Sequence, residues 1–170
     1  MISIELYNSN NEFHKTSLCS LYWMYFDEVH KEDIVGNYNT VLDMVNAFED
    51  MGRITYLVLD EKHQIYTGFV TMFCNTQYGM TKPVIYVDYM YVLPEYRNGI
   101  SVALLYAKIG EVCLCNDMDC LGATFTTSAN SNNNRLVNGN IIAGVTHFKL
   151  QDIESNTKRL LKFINRKGKL

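Results

Sequence analysis

Proline is scarce in this chain, two residues in 170, which excludes a proline-rich linker and spares most of the sequence the residue that breaks helices and central strands. No CxxC pair occurs either. The five cysteines, Cys19, Cys74, Cys113, Cys115 and Cys120, are odd in number and lie in apolar surroundings, so reduced core thiols are expected rather than a disulfide framework. Cys113, Cys115 and Cys120 have no histidine nearby and match no zinc module in spacing, so no metal is expected. Long apolar runs are missing: nothing approaches the roughly 20 residues of a membrane span. The start, MISIELYNSNNEF, lacks the positive charge and apolar stretch of a secretory leader, so a cytoplasmic protein without membrane contact is expected. A net charge of −3 weighs against generic nucleic-acid binding. Neither a Walker loop nor a GxGxxG turn is present, which sets aside a nucleotide-binding α/β protein.

What is present is enough apolar material for a folded core. Hydrophobic residues make up 48% and aromatic residues 12%, and a chain of this length is expected to form a single domain over 1–170. Its organising stretch is Lys82 to Leu105. Residues 84–93 are rich in β-branched and aromatic residues, broken only by Asp88, which reads as a strand buried on much of both faces. Pro94 ends it. The short polar turn Glu95-Tyr96-Arg97-Asn98-Gly99 follows, and then Val102, Leu105, Ile109 and Val112 recur at helical spacing over 100–114. Strand, glycine turn and helix without slack leave unpaired N–H groups at the helix start, where the helix dipole also favours an anion.

These residues resemble the acetyl-CoA signature of the GNAT (Gcn5-related N-acetyltransferase) superfamily, which reads like Y-V-x-P-E-Y-R, a glycine-rich turn and A-L-L. The matching letters are Tyr91, Val92, Pro94, Glu95, Tyr96, Arg97, Gly99, Ala103, Leu104 and Leu105. The family turn usually has the form Q/R-x-x-G-x-G/A; here two steps separate Arg97 from Gly99, and Ser101 stands where a second Gly or Ala is usual. The resemblance implies an α/β (α+β) GNAT fold: a mixed, mostly antiparallel sheet flanked by helices, with one parallel, splayed strand pair. It also implies acetyl-CoA as cosubstrate. The pyrophosphate would lie against Arg97, Asn98, Gly99, Ile100, Ser101 and Val102, and the backbone of Met90, Tyr91 and Val92 would orient the acetyl carbonyl and pantetheine. Asn132 or Asn133 matches the Asn that opens the next family helix and touches CoA; plain helix capping explains either equally well.

The rest of the chain supplies the expected partners. Residues 2–7 read as a first strand, and the Asn-Ser-Asn-Asn turn at 8–11 as a cap for a helix over about 11–25. The aromatic cluster Tyr22, Trp23, Tyr25 and Phe26 is either core or pocket lining. The acidic run 27–33 reads as a solvated connection, with a divalent cation held by its carboxylates and His30, or attraction of a cationic acceptor, as the functional alternatives. A helix over about 41–51 should turn Leu42, Val45, Phe48 and Met51 inward, and Gly52 stops it. Residues 53–59 and 66–74 form a hairpin, with Gly68 at a bulge or close approach. Residues 121–127 should run parallel to the central strand, 145–150 close the sheet, and 156–166 form a last helix with Leu160, Leu161 and Ile164 on one side. The basic residues near that end read mainly as dipole pairing and a solvated tail, with an anionic partner as the alternative.

Acetyl transfer to an amine needs a seated thioester, a neutral amine, donors to the developing oxyanion and a proton for sulfur. Asp88 occupies the place where many family members carry a general base. Tyr89 or Tyr91 could supply a hydroxyl, and spacing does not choose between them. The family's acid Tyr is replaced by Asn138-Gly139-Asn140, so the thiolate would leave unassisted, take a proton from water, or use Tyr91 or Ser128. The expected function is transfer of an acetyl group to a primary amine of a small molecule or protein. A GNAT-fold binding module without turnover is the alternative, and the sequence leaves the acceptor and any homodimer open.

Overall fold

The computed structural model describes residues 1–29, 38–76, 82–97, 99–123, 140–142 and 145–167. In chain order the elements are β1 (Ile2–Leu6), α1 (Glu12–Val29), α2 (Tyr38–Asn46), β2 (Ile54–Asp60), β3 (Ile65–Asn75), β4 (Val84–Val92), a 3-10 turn (Pro94–Tyr96), α3 (Ile100–Asn116), β5 (Cys120–Ala123), β6 (Asn140–Ile142), β7 (Val145–Phe148) and α4 (Leu150–Lys167). The strands form one sheet in the order β1-β2-β3-β4-β5-β7-β6. β4 and β5 are the parallel pair, and the other neighbours are antiparallel. The α/β sheet with flanking helices expected from the sequence is what forms. No helix among the described residues is long and apolar enough to cross a membrane.

The two faces of the sheet carry different cores. On one, α1, α2 and the turn after α2 pack Leu18, Tyr22, Tyr25, Val45 and Phe48 against Phe69 of β3 and Tyr91 of β4. On the other, Leu105, Ile109 and Cys113 of α3 and Ile153 of α4 meet Val58, Val70, Met72, Ile85 and Val92. Burial of a Leu or Phe side chain is worth roughly 1.5–3 kcal/mol, so each face holds its helices by side chains spread over several elements. α4 lies antiparallel on α3, with Leu160 against Ala103 and Ala107, and Phe163 beside Gly99.

Local chemistry explains most boundaries. Asn11 accepts the N–H groups of Phe13 and His14 at 3.0 and 3.3 Å, the cap expected from the asparagine run. α1 then runs four residues past the expected end, through Asp27 and Glu28 to Val29, so the start of the acidic run is helical rather than a loose connection. α2 begins earlier than expected and stops at Asn46; Phe48 is buried beyond it in a series of turns, while Met51 is exposed rather than inward. α4 starts at Leu150, six residues before its expected start, because Asp119, from the turn before β5, accepts the Leu150 N–H at 2.7 Å. Leu161 is exposed, not on the packed side with Leu160. β6, pairing with β7, was not anticipated from Asn140 onward. Cys19, Cys113 and Cys120 are buried free thiols; Cys74 and Cys115 are exposed, so the expectation of core thiols fails for those two.

Candidate functional site

β4 is the strand about which the site is built, and its register is irregular. Thr71 of β3 faces Tyr89 and the adjacent Met72 faces Val87, so Asp88 has no residue opposite. Such a bulge leaves one residue extra and puts neighbouring side chains on one face. Val87, Met90 and Val92 pack with the α3 core, whereas Tyr89 and Tyr91 pack with α1 and α2. Asp88 joins them on the α1 side, bonded to Arg53, whose guanidinium lies 5.6 Å from the centre of the Phe48 ring and 5.3 Å from that of Phe73.

On the other edge, among the described residues, β5 pairs with β4 at Ile85, Tyr86 and Val87, next to the bulge. From Asp88 to Val92, β4 continues with no pairing to the described part of β5. The splay expected between these two strands falls beyond Ala123, outside the described residues.

Beyond β4 the chain is pinned at several points. Leu93 N–H donates to Thr67 O at 2.8 Å, tying the strand end to β3, and Tyr96 N–H closes the turn on Leu93 O at 2.9 Å. The Tyr96 hydroxyl donates to Asp60 Oδ2 at 3.1 Å. Asp60 also meets His63 Nδ1 at 2.7 Å and the N–H groups of Lys62 and His63, and these bonds, His63's side chain foremost, bring its pKa down to about 2. Gly68 sits against this strand end: a Cβ there would come within 2.7 Å of Tyr91 O, which is the close approach expected at that glycine. Gly99 opens α3 with φ +112°, a backbone that side-chain-bearing residues rarely adopt. Ala103 N–H reaches Gly99 O at 3.0 Å, so the N–H groups of Ile100, Ser101 and Val102 precede the first regular helical bond.

Arg97 is held more tightly than its place in a turn suggests. Its Nε donates to Val92 O at 2.7 Å, Nη1 to Glu28 Oε1 at 2.8 Å and Nη2 to Glu28 Oε2 at 2.6 Å. The guanidinium lies 5.3 Å from the centre of the Tyr91 ring, and the Tyr91 hydroxyl donates to the same Oε2 at 3.1 Å. Burial, reinforced by the Glu28 carboxylate, pushes the Tyr91 phenol up to about 12, so it stays protonated at neutral pH. Glu28 was legible only as one letter of an acidic run. Its partners are 63 and 69 residues away, and no local signal marks it.

Asp88 is similarly engaged: Arg53 Nε and Nη2 both converge on Oδ2, at 2.9 and 2.8 Å. Tyr22, Tyr25 and Phe26 gather round Tyr89 with ring centres 5.3, 5.7 and 6.2 Å away. Tyr22 and Tyr25 are therefore core, while Trp23 is partly exposed. The Tyr22 hydroxyl donates to Thr71 Oγ1 at 2.7 Å, which lies 2.9 Å from Thr55 Oγ1. The structure thus brings Asp88, Tyr89 and Tyr91 together on one face, sets Met90 and Val92 on the other, and leads from them directly to Arg97, Gly99, Ile100, Ser101 and Val102. Asn98, Ser128, Asn132 and Asn133 lie outside the described residues.

An α/β sheet with this order, a bulged central strand and one parallel pair has structural counterparts. An acetyltransferase of the GNAT family from Staphylococcus aureus superposes with a TM-score of 0.62 at 16% identity, over 88% of this chain and 99% of that one. The chain has the GNAT fold. A Trypanosoma brucei acetyltransferase matches with a TM-score of 0.61 at 9% identity, over 84% and 94% of the two chains. The aminoglycoside acetyltransferase structure AAC(6')-Iy, in complex with the bisubstrate analogue CoA-S-monomethyl-acetylneamine, matches with 0.60 at 13%, over 81% and 88%. No protein-family model matches the sequence, and no curated protein does. Identities this low speak for the GNAT fold; the chemistry rests on this chain's own residues.

Proposed function

We propose that this GNAT-fold protein binds acetyl-CoA and transfers its acetyl group to an amine. The observation that carries the reading is the junction that leads from β4 through Arg97 and Gly99 to the start of α3, with β5 parallel beside β4. A helix start can seat the pyrophosphate, and the splay of β4 and β5 that the resemblance implies would let the strand edge bond the amide-rich pantetheine arm. The structural neighbour that holds a CoA-based bisubstrate analogue supports the same ligand class. In this reading Met90, Tyr91 and Val92 present backbone to the thioester, and Gly99, Ile100, Ser101 and Val102 present N–H groups to phosphate, with Asn98, Asn132 and Asn133 assigned to CoA by resemblance.

Asp88 lies at the bulge, on the α1 face, and serves as the carboxylate that meets the acceptor amine. Arg53 holds Oδ2, and Oδ1 receives the amine or a bridging water. The departing thiolate is a tolerable leaving group because free thiols have a pKa of about 8.5. Tyr91 or Ser128 supplies its proton only if brought within reach of sulfur; water otherwise does. A second reading, a module that binds CoA without turnover, is favoured by one observation: both Arg53 contacts occupy Asp88.

Thermal unfolding with and without CoA tests the site. The melting temperature should rise by several degrees at saturating ligand, and Gly99→Asp, which places a side chain and a negative charge at the φ +112° position, should abolish the rise. No rise at millimolar CoA would sink the reading. Thiol release from acetyl-CoA in the presence of a panel of primary amines separates the enzyme from the binding module.

A further inference from the structure

We propose that Glu28 is a positioning residue that occupies the anion site of Arg97 until the cofactor's diphosphate displaces it, coupling CoA seating to the end of α1. The inference rests on the reading above and adds to it a residue and an order of events. A carboxylate gripped by both Nη atoms, at 2.8 and 2.6 Å, presents two oxygens in the fork geometry that a phosphate also presents to Arg. Glu28 therefore stands where a phosphate could stand.

Three features make the exchange possible. Arg97 Nε remains on Val92 O at 2.7 Å, so the guanidinium keeps its anchor while its two outer nitrogens change partner. The ion pair is about two-fifths exposed on both sides, and such pairs contribute little net stability. Glu28 also lies in the last turn of α1, which contains no basic residue. A negative charge there is disfavoured by the helix dipole, so Glu28 is placed for Arg97 rather than for α1.

Displacement reaches beyond the cofactor. Glu28 Oε2 accepts the Tyr91 hydroxyl as well, and Tyr91 packs with Tyr25 of α1, ring centres 6.0 Å apart. Moving Glu28 from Arg97 thus changes the hydrogen bonding of a residue in the α1 core, on the face that carries Asp88. CoA would release the end of α1 before the acceptor arrives.

Calorimetric titration of CoA, and of inorganic pyrophosphate to isolate the diphosphate, into the whole chain tests this with Glu28→Gln, Arg97→Ala and the double variant. Loss of the competing charge should tighten CoA binding by up to about fivefold, the upper end of the range set by exposed ion pairs. That gain should vanish when Arg97 is already Ala. Glu28→Ala guards against a glutamine that still grips Arg97 through its amide oxygen. Unchanged or weaker CoA binding in both Glu28 variants, with wild-type binding intact, would overturn the displacement and make Glu28 a strut. Absence of CoA binding in every protein, wild type included, would overturn the functional reading itself.

Discussion

The two faces of the sheet are built from different materials. The α3 face is closed by Val58, Val70, Met72, Ile85, Val92, Leu105 and Ile109, aliphatic side chains and one Met, with Tyr56, Tyr96 and Tyr106 packed partly buried against them. The α1 face is closed by Tyr22, Tyr25, Phe48, Phe69 and Tyr91, and its tyrosines need partners: Tyr22 on Thr71, Tyr91 on Glu28. A buried hydroxyl without a partner costs about 1–3 kcal/mol, so an aromatic-polar core must be specified more closely than an aliphatic one. The difference separates a face that holds the helix from a face that can hold chemistry, and β4 belongs to both because its bulge turns Asp88 and Tyr89 together toward the second.

Breaking the aliphatic face should give the largest change in stability. Leu105 is fully buried, and Leu105→Ala should lower unfolding free energy by about 2–5 kcal/mol, measured by denaturant titration. A loss below about 1 kcal/mol would mean that α3 is held mainly from elsewhere. On the other face the expected effect is kinetic. Asp88→Asn keeps the shape that Arg53 grips but removes the charge, and should reduce acetyl transfer about a hundredfold with CoA affinity unchanged. An unaltered rate would make Asp88 a staple for the bulge and bring the two faces closer in kind.

The smallest effect is a pH dependence at the joint between them. Asp60 anchors Tyr96, and its pKa falls from an ordinary carboxylate value to about 2 on folding. A carboxylate depressed in the folded state contributes stability that is fully present above its unfolded value, about 3.9, and is lost as pH falls towards 2. Acid titration of the melting temperature should therefore show a component between about pH 4 and 2 that Asp60→Asn lacks. An identical acid profile in that variant would remove Asp60 as an anchor of the turn.

Much of the fold is legible in the residues. The strand at Val84, the stop at Pro94, the glycine at 99 and the helical spacing after it all express preferences that act over a few residues, and the hairpin of β2 and β3 follows from its polar turn. One failure lies where a distant group intervenes: α4 begins early because Asp119 caps it from another element. Another is local: α2 ends at Asn46, and Met51 beyond it is exposed. Of the candidate site, Arg97, Gly99 and Asp88 were identifiable by position, whereas Glu28 and Arg53, which hold two of them, were not.

The sequence by itself determined the order of elements from β1 to β5 and the strand-turn-helix junction, since φ limits at Gly and Pro, capping and hydrophobic period are properties of neighbouring residues. Only the tertiary structure decided which face Asp88 joins and what grips it. The bulge depends on the register of β3 against β4, and the Arg53–Asp88 and Arg97–Glu28 pairs span 35 and 69 residues. Register and long-range charge pairing are set by how whole elements pack, and no run of local letters encodes that.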